Sequence, residues 1–433
     1  MKIVQITPGS GDNFYCENCL RDLYLVKAMR SVGHDVMMVP LYLPLQSDKK
    51  PPISDIPIFY GGVNVFLQEK LAFFRRTPRW LDRIFDSPKL LGWVSRKAGM
   101  TSAKDLGETT LSMLKGEDGR QVKELDRLVT WLAEQKEKPD ILCLSNILLV
   151  GLARRIKAEL DVPIVCLLQD EEGFLDGLTS PYTEQAWREV AQRAKDIDGF
   201  IPVSRHYAGV MKERLGLADE RIHVVHVGIY VDNYDFQEIV PEVPTIGFLS
   251  RMCSEKGLDV LVDAFIALKR RSELQNARLR VAGGKLDSDN KFVDSLKKRL
   301  ESHGLLSDVD FLSDFGQQTR LDFLRTLSVL SVPEKQPVAY GLYVLEALAT
   351  GVPVVQPNIG VFPELIEATG GGILHEPDNA EALAQTLGRV LLDEDLSDQL
   401  RRRGRAAVVE KFDIKRTSDE LARVYAGIVQ KYQ

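Results

Sequence analysis

One pattern limits what this chain can fold into. Short apolar runs that end in glycine or polar residues, each followed by an amphipathic stretch, recur from end to end: KIVQITPG, DILCLSN, VPIVCLLQD, DGFIPVS, TIGFLSR, ARLRVAGG and VPVVQP. Runs of this kind, alternating with helical periodicity, describe parallel strands buried on both faces by crossover helices. The opening shows the unit: Ile3, Val4 and Ile6 form a strand, and a glycine loop follows. Leu20, Leu23, Val26 and Met29 then face a helix inward, Gly33 ends it, and HDVMMVPLY returns as the next strand. The expected class is α/β, doubly wound, and 433 residues suit about two such domains.

Composition narrows the function. Apolar content of 44% and charged content of 27% describe an ordinary globular chain, and a net charge of −6 with no basic tail gives no pull toward nucleic acid. The first residues read as a strand entering a loop, not as a signal peptide, and no apolar run is long enough for a bilayer, so the expected location is the cytoplasm. Cys16 and Cys19 form CENC, a redox pair or half a zinc site, but no second ligand pair accompanies them. Cys143, Cys166 and Cys253 sit in or beside apolar runs as small core residues, and His206, His223 and His226 share no metal spacing. No metal is expected. FQEIVPEVPT has the proline and charge of a linker, which puts a first domain at 1–237, with a helical insertion at about 64–135, and a second at 238–413.

Several residues are placed where chemistry would be. In 331–372 a loop ends at Gly341 and a helix runs from about Leu342 to Thr350, stopped by Gly351. Glu346 lies on that otherwise apolar helix and needs donors, which a ribose diol or a nearby arginine would supply. Gly9, Ser10 and Gly11 can offer amides to a phosphate or form a plain tight turn, while the third glycine of a dinucleotide fingerprint would fall at Phe14, which argues against an NAD enzyme. Arg251 and Lys256 stand in a strand-loop-helix mouth and suit a diphosphate, although lone cations are often solvated. Gln169, Asp170, Glu171 and Glu172 follow a buried strand, as residues at a cleft edge do. Residues 64–114 mix aromatics with Arg75, Arg76, Arg79, Arg83, Arg96 and Lys97; such a stretch can lie on an anionic membrane or pack on the sheet as an insertion.

The segment GLYVLEALATGVPVVQPNIGVFPELIE resembles the donor-binding signature of retaining GT-B glycosyltransferases of family four. Glu346, Gly351, Pro353 and Glu364 match its pattern. The first glutamate of the pattern does not: Val338 holds its position, and Glu334 stands four residues too early. The resemblance implies two Rossmann-like domains facing a cleft, with a C-terminal helix, 414–433, crossing back to the first domain. It implies transfer of a sugar from a nucleoside-diphosphate sugar to a hydroxyl acceptor with retention and without a metal, the nucleotide sugar being a co-substrate and no other cofactor being needed. It gives Arg251 and Lys256 the departing diphosphate and sets Gln169, where the family often has histidine, and Asp170 near the sugar. Gly9, Ser10, Gly11, Gly283, Phe315, Val338, Tyr340, Gly341, Leu342 and Glu346 fall at its donor positions. Acceptors bind such enzymes near the insertion, which for 64–114 implies contact with a saccharide, a small molecule or a lipid at the inner face of a membrane. Val338 and Gln169 keep open a nucleotide-binding homologue acting as a partner protein, and Asp170 to Glu172 a sugar-nucleotide epimerase of the same fold. The transferase reading places Arg251 and Lys256 on the interdomain gap.

Overall fold

The structure, a computed structural model, describes residues 1–8, 17–41, 59, 103–312 and 317–433. Two parallel sheets organise them. The first comprises β1 (Lys2–Thr7), β2 (Asp35–Pro40), β3 (Ile141–Leu144), β4 (Ile164–Leu168) and β5 (Gly199–Pro202), in the order β2-β1-β3-β4-β5. The second comprises β6 (Thr245–Leu249), β7 (Arg278–Ala282), β8 (Val309–Leu312), β9 (Val329–Leu330), β10 (Val354–Pro357) and β11 (Gly372–His375), in the order β11-β10-β9-β6-β7-β8. Every pairing runs parallel, for example Ile3 beside Ile141 and Phe248 beside Val281. Both sheets reverse strand order near their first strand, and ligands of open α/β sheets bind at such switch points, outside the carboxyl ends.

The apolar runs form these strands because helices cover both faces. Ile164–Leu168 is buried at every residue, as a central parallel strand requires. In the helix Leu258–Leu268, the periodic Leu258, Leu261, Val262 and Phe265 are all buried. The helix Leu342–Thr350 is buried throughout, and Gly351 ends it with φ of 84°, the left-handed conformation that glycine adopts without strain. Cys143, Cys166 and Cys253 are buried free thiols.

The last helix, Ile414–Tyr432, leaves the second domain and packs on the first. Its Leu421, Tyr425 and Ile428 join Leu25, Val26, Ile141, Val165 and Leu167 in one apolar cluster. Among the described residues, no helix is long and apolar enough to cross a membrane. Residues 64–102 lie outside the described residues, so the membrane and acceptor expectations for 64–114 fall almost wholly outside them; the described part begins with the helix Ala103–Leu114.

Candidate active site

The carboxyl edge of the first sheet carries a buried polar layer. Thr7, at the end of β1, donates to Asp22 at 3.2 Å, and burial raises that carboxyl to about 6 against the pull of Arg21, Thr7 and Ser145. Arg21 donates to the Gln169 side-chain oxygen, and the Gln169 amide nitrogen donates to the Ser145 carbonyl at 2.6 Å. Gln169 is therefore held inside the first domain by both ends of its amide, at 1% exposure. Glu171 accepts from the backbone of Gln169 and Ile147 and from the Tyr207 hydroxyl. Burial raises Glu171 to about 7, opposed by those donors.

Asp170 turns the other way. Its φ of 75° swings the chain at the end of β4, and its Oδ1 accepts from the backbone N–H of Ala339, in the second domain, at 2.9 Å. The Ala339 carbonyl in turn accepts from Ser204 Oγ, just past β5, at 2.7 Å. Both backbone polar groups of Ala339, in the loop after β9, are thus gripped by residues just past the carboxyl ends of β4 and β5. Val338 precedes that residue, and Tyr340 and Gly341 follow it. Val338 is buried, and Tyr340, Gly341 and Leu342 line a narrow gap with Val203, His226 and Val227 of the first domain.

Arg251 and Lys256 stand in the loop between β6 and the helix Leu258–Leu268. The Arg251 guanidinium makes a two-point bond with Asp289, both contacts at 3.0 Å, and this bond holds the Asp289 carboxyl below its ordinary range. Gly283, at the end of β7, lets this loop close: a Cβ there would lie 1.6 Å from the Ser250 carbonyl oxygen. Lys256 donates to Glu334 at 2.9 Å. It also acts across the gap: burial raises the Asp170 carboxyl, while the Ala339 N–H and the Lys256 charge draw it back down. The Lys256 charge is thus within electrostatic reach of Asp170 in the first domain, while the exposed guanidinium of Arg251 lies on the same loop.

Glu346 is fully buried. Its Oε1 accepts from Tyr234 at 2.7 Å and from Arg320 at 3.2 Å, so of the two donor sources open at the sequence level, the arginine is present. Gly9, Ser10, Gly11, Phe315 and Cys16 lie outside the described residues. Among the residues not singled out as site residues in the sequence, Ser204, Arg320 and Asp289 contribute here. Each is an ordinary polar residue in a helix or loop, and its role follows from packing between segments distant in sequence. Among the described residues, no three His, Cys, Asp or Glu side chains are grouped to hold a metal ion.

Two doubly wound parallel-sheet domains, joined through their carboxyl edges and tied by a returning C-terminal helix, define a protein of the GT-B class. The family models agree with that architecture. Glycosyl transferases group 1 matches residues 232–407, and Glycosyltransferase Family 4 matches residues 113–233. Domain by domain, the chain is thus similar to the glycosyltransferases of these two models. It is 30% identical over 195 residues, 44% of its length and 53% of the relative's, to the lipopolysaccharide core biosynthesis mannosyltransferase LpsB of Rhizobium meliloti. It is 32% identical over 182 residues, 42% of each chain, to the D-inositol 3-phosphate glycosyltransferase of Saccharomonospora viridis. The chain spans about half the length of the curated relatives it matches. Among solved structures, sucrose-phosphate synthase from Thermosynechococcus elongatus superposes with a TM-score of 0.71 at 15% identity, over 99% of both chains. HepE of Anabaena, in complex with UDP, superposes with a TM-score of 0.71 at 16% identity, over 99% of this chain and 100% of that one. At these identities the likeness is one of fold.

Proposed function

We propose that this protein transfers a sugar, with retention, from a nucleoside-diphosphate sugar to a hydroxyl acceptor, without a metal ion. The observation that carries the reading is Lys256: it projects from a strand-loop-helix mouth of the second domain and acts on Asp170 of the first. A diphosphate at that mouth meets Lys256 and the exposed guanidinium of Arg251, two cations fixed by Glu334 and Asp289 before any ligand arrives. Fixed charges that need no rearrangement stabilise the negative charge that builds up as the sugar leaves. The acceptor hydroxyl attacks on the side of the leaving group and passes its proton to the diphosphate, so an enzymic base is not required. That fits Gln169, which is not a base and is engaged within the first domain. A solved neighbour in complex with UDP supports a nucleotide donor. In this reading the enzyme works in the cytoplasm, and 64–114 contributes to the acceptor side.

The test is calorimetry with UDP, GDP and ADP, followed by a panel of their sugars. Arg251→Ala combined with Lys256→Ala should weaken nucleoside-diphosphate binding at least about 100-fold, since each charge-assisted bond contributes roughly 1.5–3 kcal/mol. Unchanged affinity removes the diphosphate assignment. A second reading, a nucleotide-binding partner protein, is favoured by the apolar Val338 beside Ala339. Nucleotide binding without turnover of any donor in the panel would select it.

A further inference from the structure

The donor reading uses the deeply placed carboxylate of Glu334 only to hold Lys256. Glu334 is 2% exposed, and its Oε1 accepts from Lys256 at 2.9 Å and from the Tyr343 hydroxyl at 3.3 Å. Its loop is pinned to the loop that carries Lys256. Lys335 donates through its backbone to the Glu255 carbonyl at 3.0 Å and through its ammonium to Asp259 at 2.7 Å. Gly257 permits the approach, because a Cβ there would stand 1.8 Å from the Pro333 carbonyl oxygen. The carboxylate is therefore held against Lys256 by backbone geometry, while the lysine keeps 29% of its side chain exposed.

We propose that Glu334 is the residue that sets the charge of the diphosphate site: it positions Lys256 in the free protein and takes up one proton from solvent when a diphosphate binds. The inference rests on the donor reading above. A diphosphate reaching Lys256 brings several negative charges beside a carboxylate that water cannot screen, and the charge of Asp170 in the first domain already raises that carboxyl. A proton on Glu334 removes the conflict, and a neutral carboxyl still accepts a bond through one oxygen, so the loop keeps its place. The proton returns to solvent when the diphosphate leaves.

The groups facing Glu334 set where this happens. Burial raises its carboxyl to about 7; Lys256, from the β6 loop, and the Tyr343 hydroxyl, from the helix Leu342–Thr350, pull it down, and Asp170 pushes it up. A bound diphosphate moves it higher still. Proton uptake on binding is therefore greatest just above pH 7, and affinity is highest below that pH and declines above it.

The experiment is calorimetry of UDP binding to wild type and Glu334→Gln at pH 6, 7 and 8, in two buffers of different ionisation enthalpy. Any titration of UDP itself is common to both proteins and cancels in the difference. Wild type should take up about one proton more than Glu334→Gln at pH 7–8, and its affinity should fall more steeply above pH 7, by up to about tenfold per pH unit. Tyr343→Phe, which removes a donor to the charged form, should move the onset of that decline to higher pH and serves if Glu334→Gln does not fold. Equal proton uptake and equal pH slopes in all three proteins overturn the inference while the donor reading stands. No UDP binding by wild type, at any pH, overturns both.

Discussion

At the scale of single side chains, Glu346 decides more than its own place. Its Oε1 is shared by Tyr234 at 2.7 Å and Arg320 at 3.2 Å, and Arg320 is itself only 6% exposed. Removing one partner of a buried ion pair leaves the other charge in a medium that solvates it poorly. Glu346→Ala should therefore lower folding stability by about 3–5 kcal/mol, read as a shift in the urea midpoint, and Glu346→Gln by less. If the same carboxylate also meets a ribose diol, Glu346→Gln should weaken UDP binding more than inorganic diphosphate binding. Equal losses for both ligands would leave Glu346 a purely internal residue. The need of this carboxylate for donors was legible from its apolar helix. The identity of the donor was not, because Arg320 lies on another helix and Tyr234 in the interdomain linker.

Elements carry the next level, and here two glycines fix the loop that presents the cations. Gly257 has φ of 70° and sits where a Cβ would strike the Pro333 carbonyl oxygen, whereas Gly216, with φ of 62°, has nothing within 4 Å of its Cβ position. Both substitutions to alanine bear the left-handed backbone cost of about 1 kcal/mol. Gly257→Ala should add a clash that moves the 333–335 loop off Lys256, so it should lose UDP affinity as well as stability. Gly216→Ala should lower the melting temperature slightly and leave UDP binding intact; equal effects of the two on binding would contradict this account. The strands, the helix Leu342–Thr350 and its stop at Gly351 were legible because a buried parallel strand and an amphipathic helix each leave a periodic trace. The left-handed turn at Asp170 and the arrival of Glu334 at Lys256 left none. Glu334 stands four residues before Val338 in sequence, and only the folding of the loop against Glu255 brings it to the lysine.

At the scale of the whole molecule, two contacts among the described residues join the domains at their carboxyl edges. One is the Ala339 backbone between Asp170 and Ser204. The other is Glu364, which reaches from the second domain to the start of the helix Arg205–Leu215. Its two oxygens accept from the backbone N–H groups of Arg205 and His206, each at 3.0 Å, and Oε1 lies 2.7 Å from His226 Nε2. A carboxylate there meets unpaired amides and the positive end of the helix dipole. Burial alone would raise this carboxyl, yet the His226 bond and the two amides outweigh it and hold it down at about 2. A carboxyl whose folded value lies below its ordinary 4.5 contributes stability above about pH 4.5 and loses it as pH falls toward 2. Because the partners lie on opposite domains, that loss should appear first as loosening of the domain contact. Between pH 4.5 and 2 the wild-type radius of gyration by X-ray scattering should rise before far-ultraviolet circular dichroism changes. Glu364→Gln should be the looser protein already at pH 7 and should show a smaller acid-induced expansion over the same interval. Matching expansion curves for the two proteins would mean that the domains are held by the Ala339 backbone and the C-terminal helix, with Glu364 serving only to cap its neighbour.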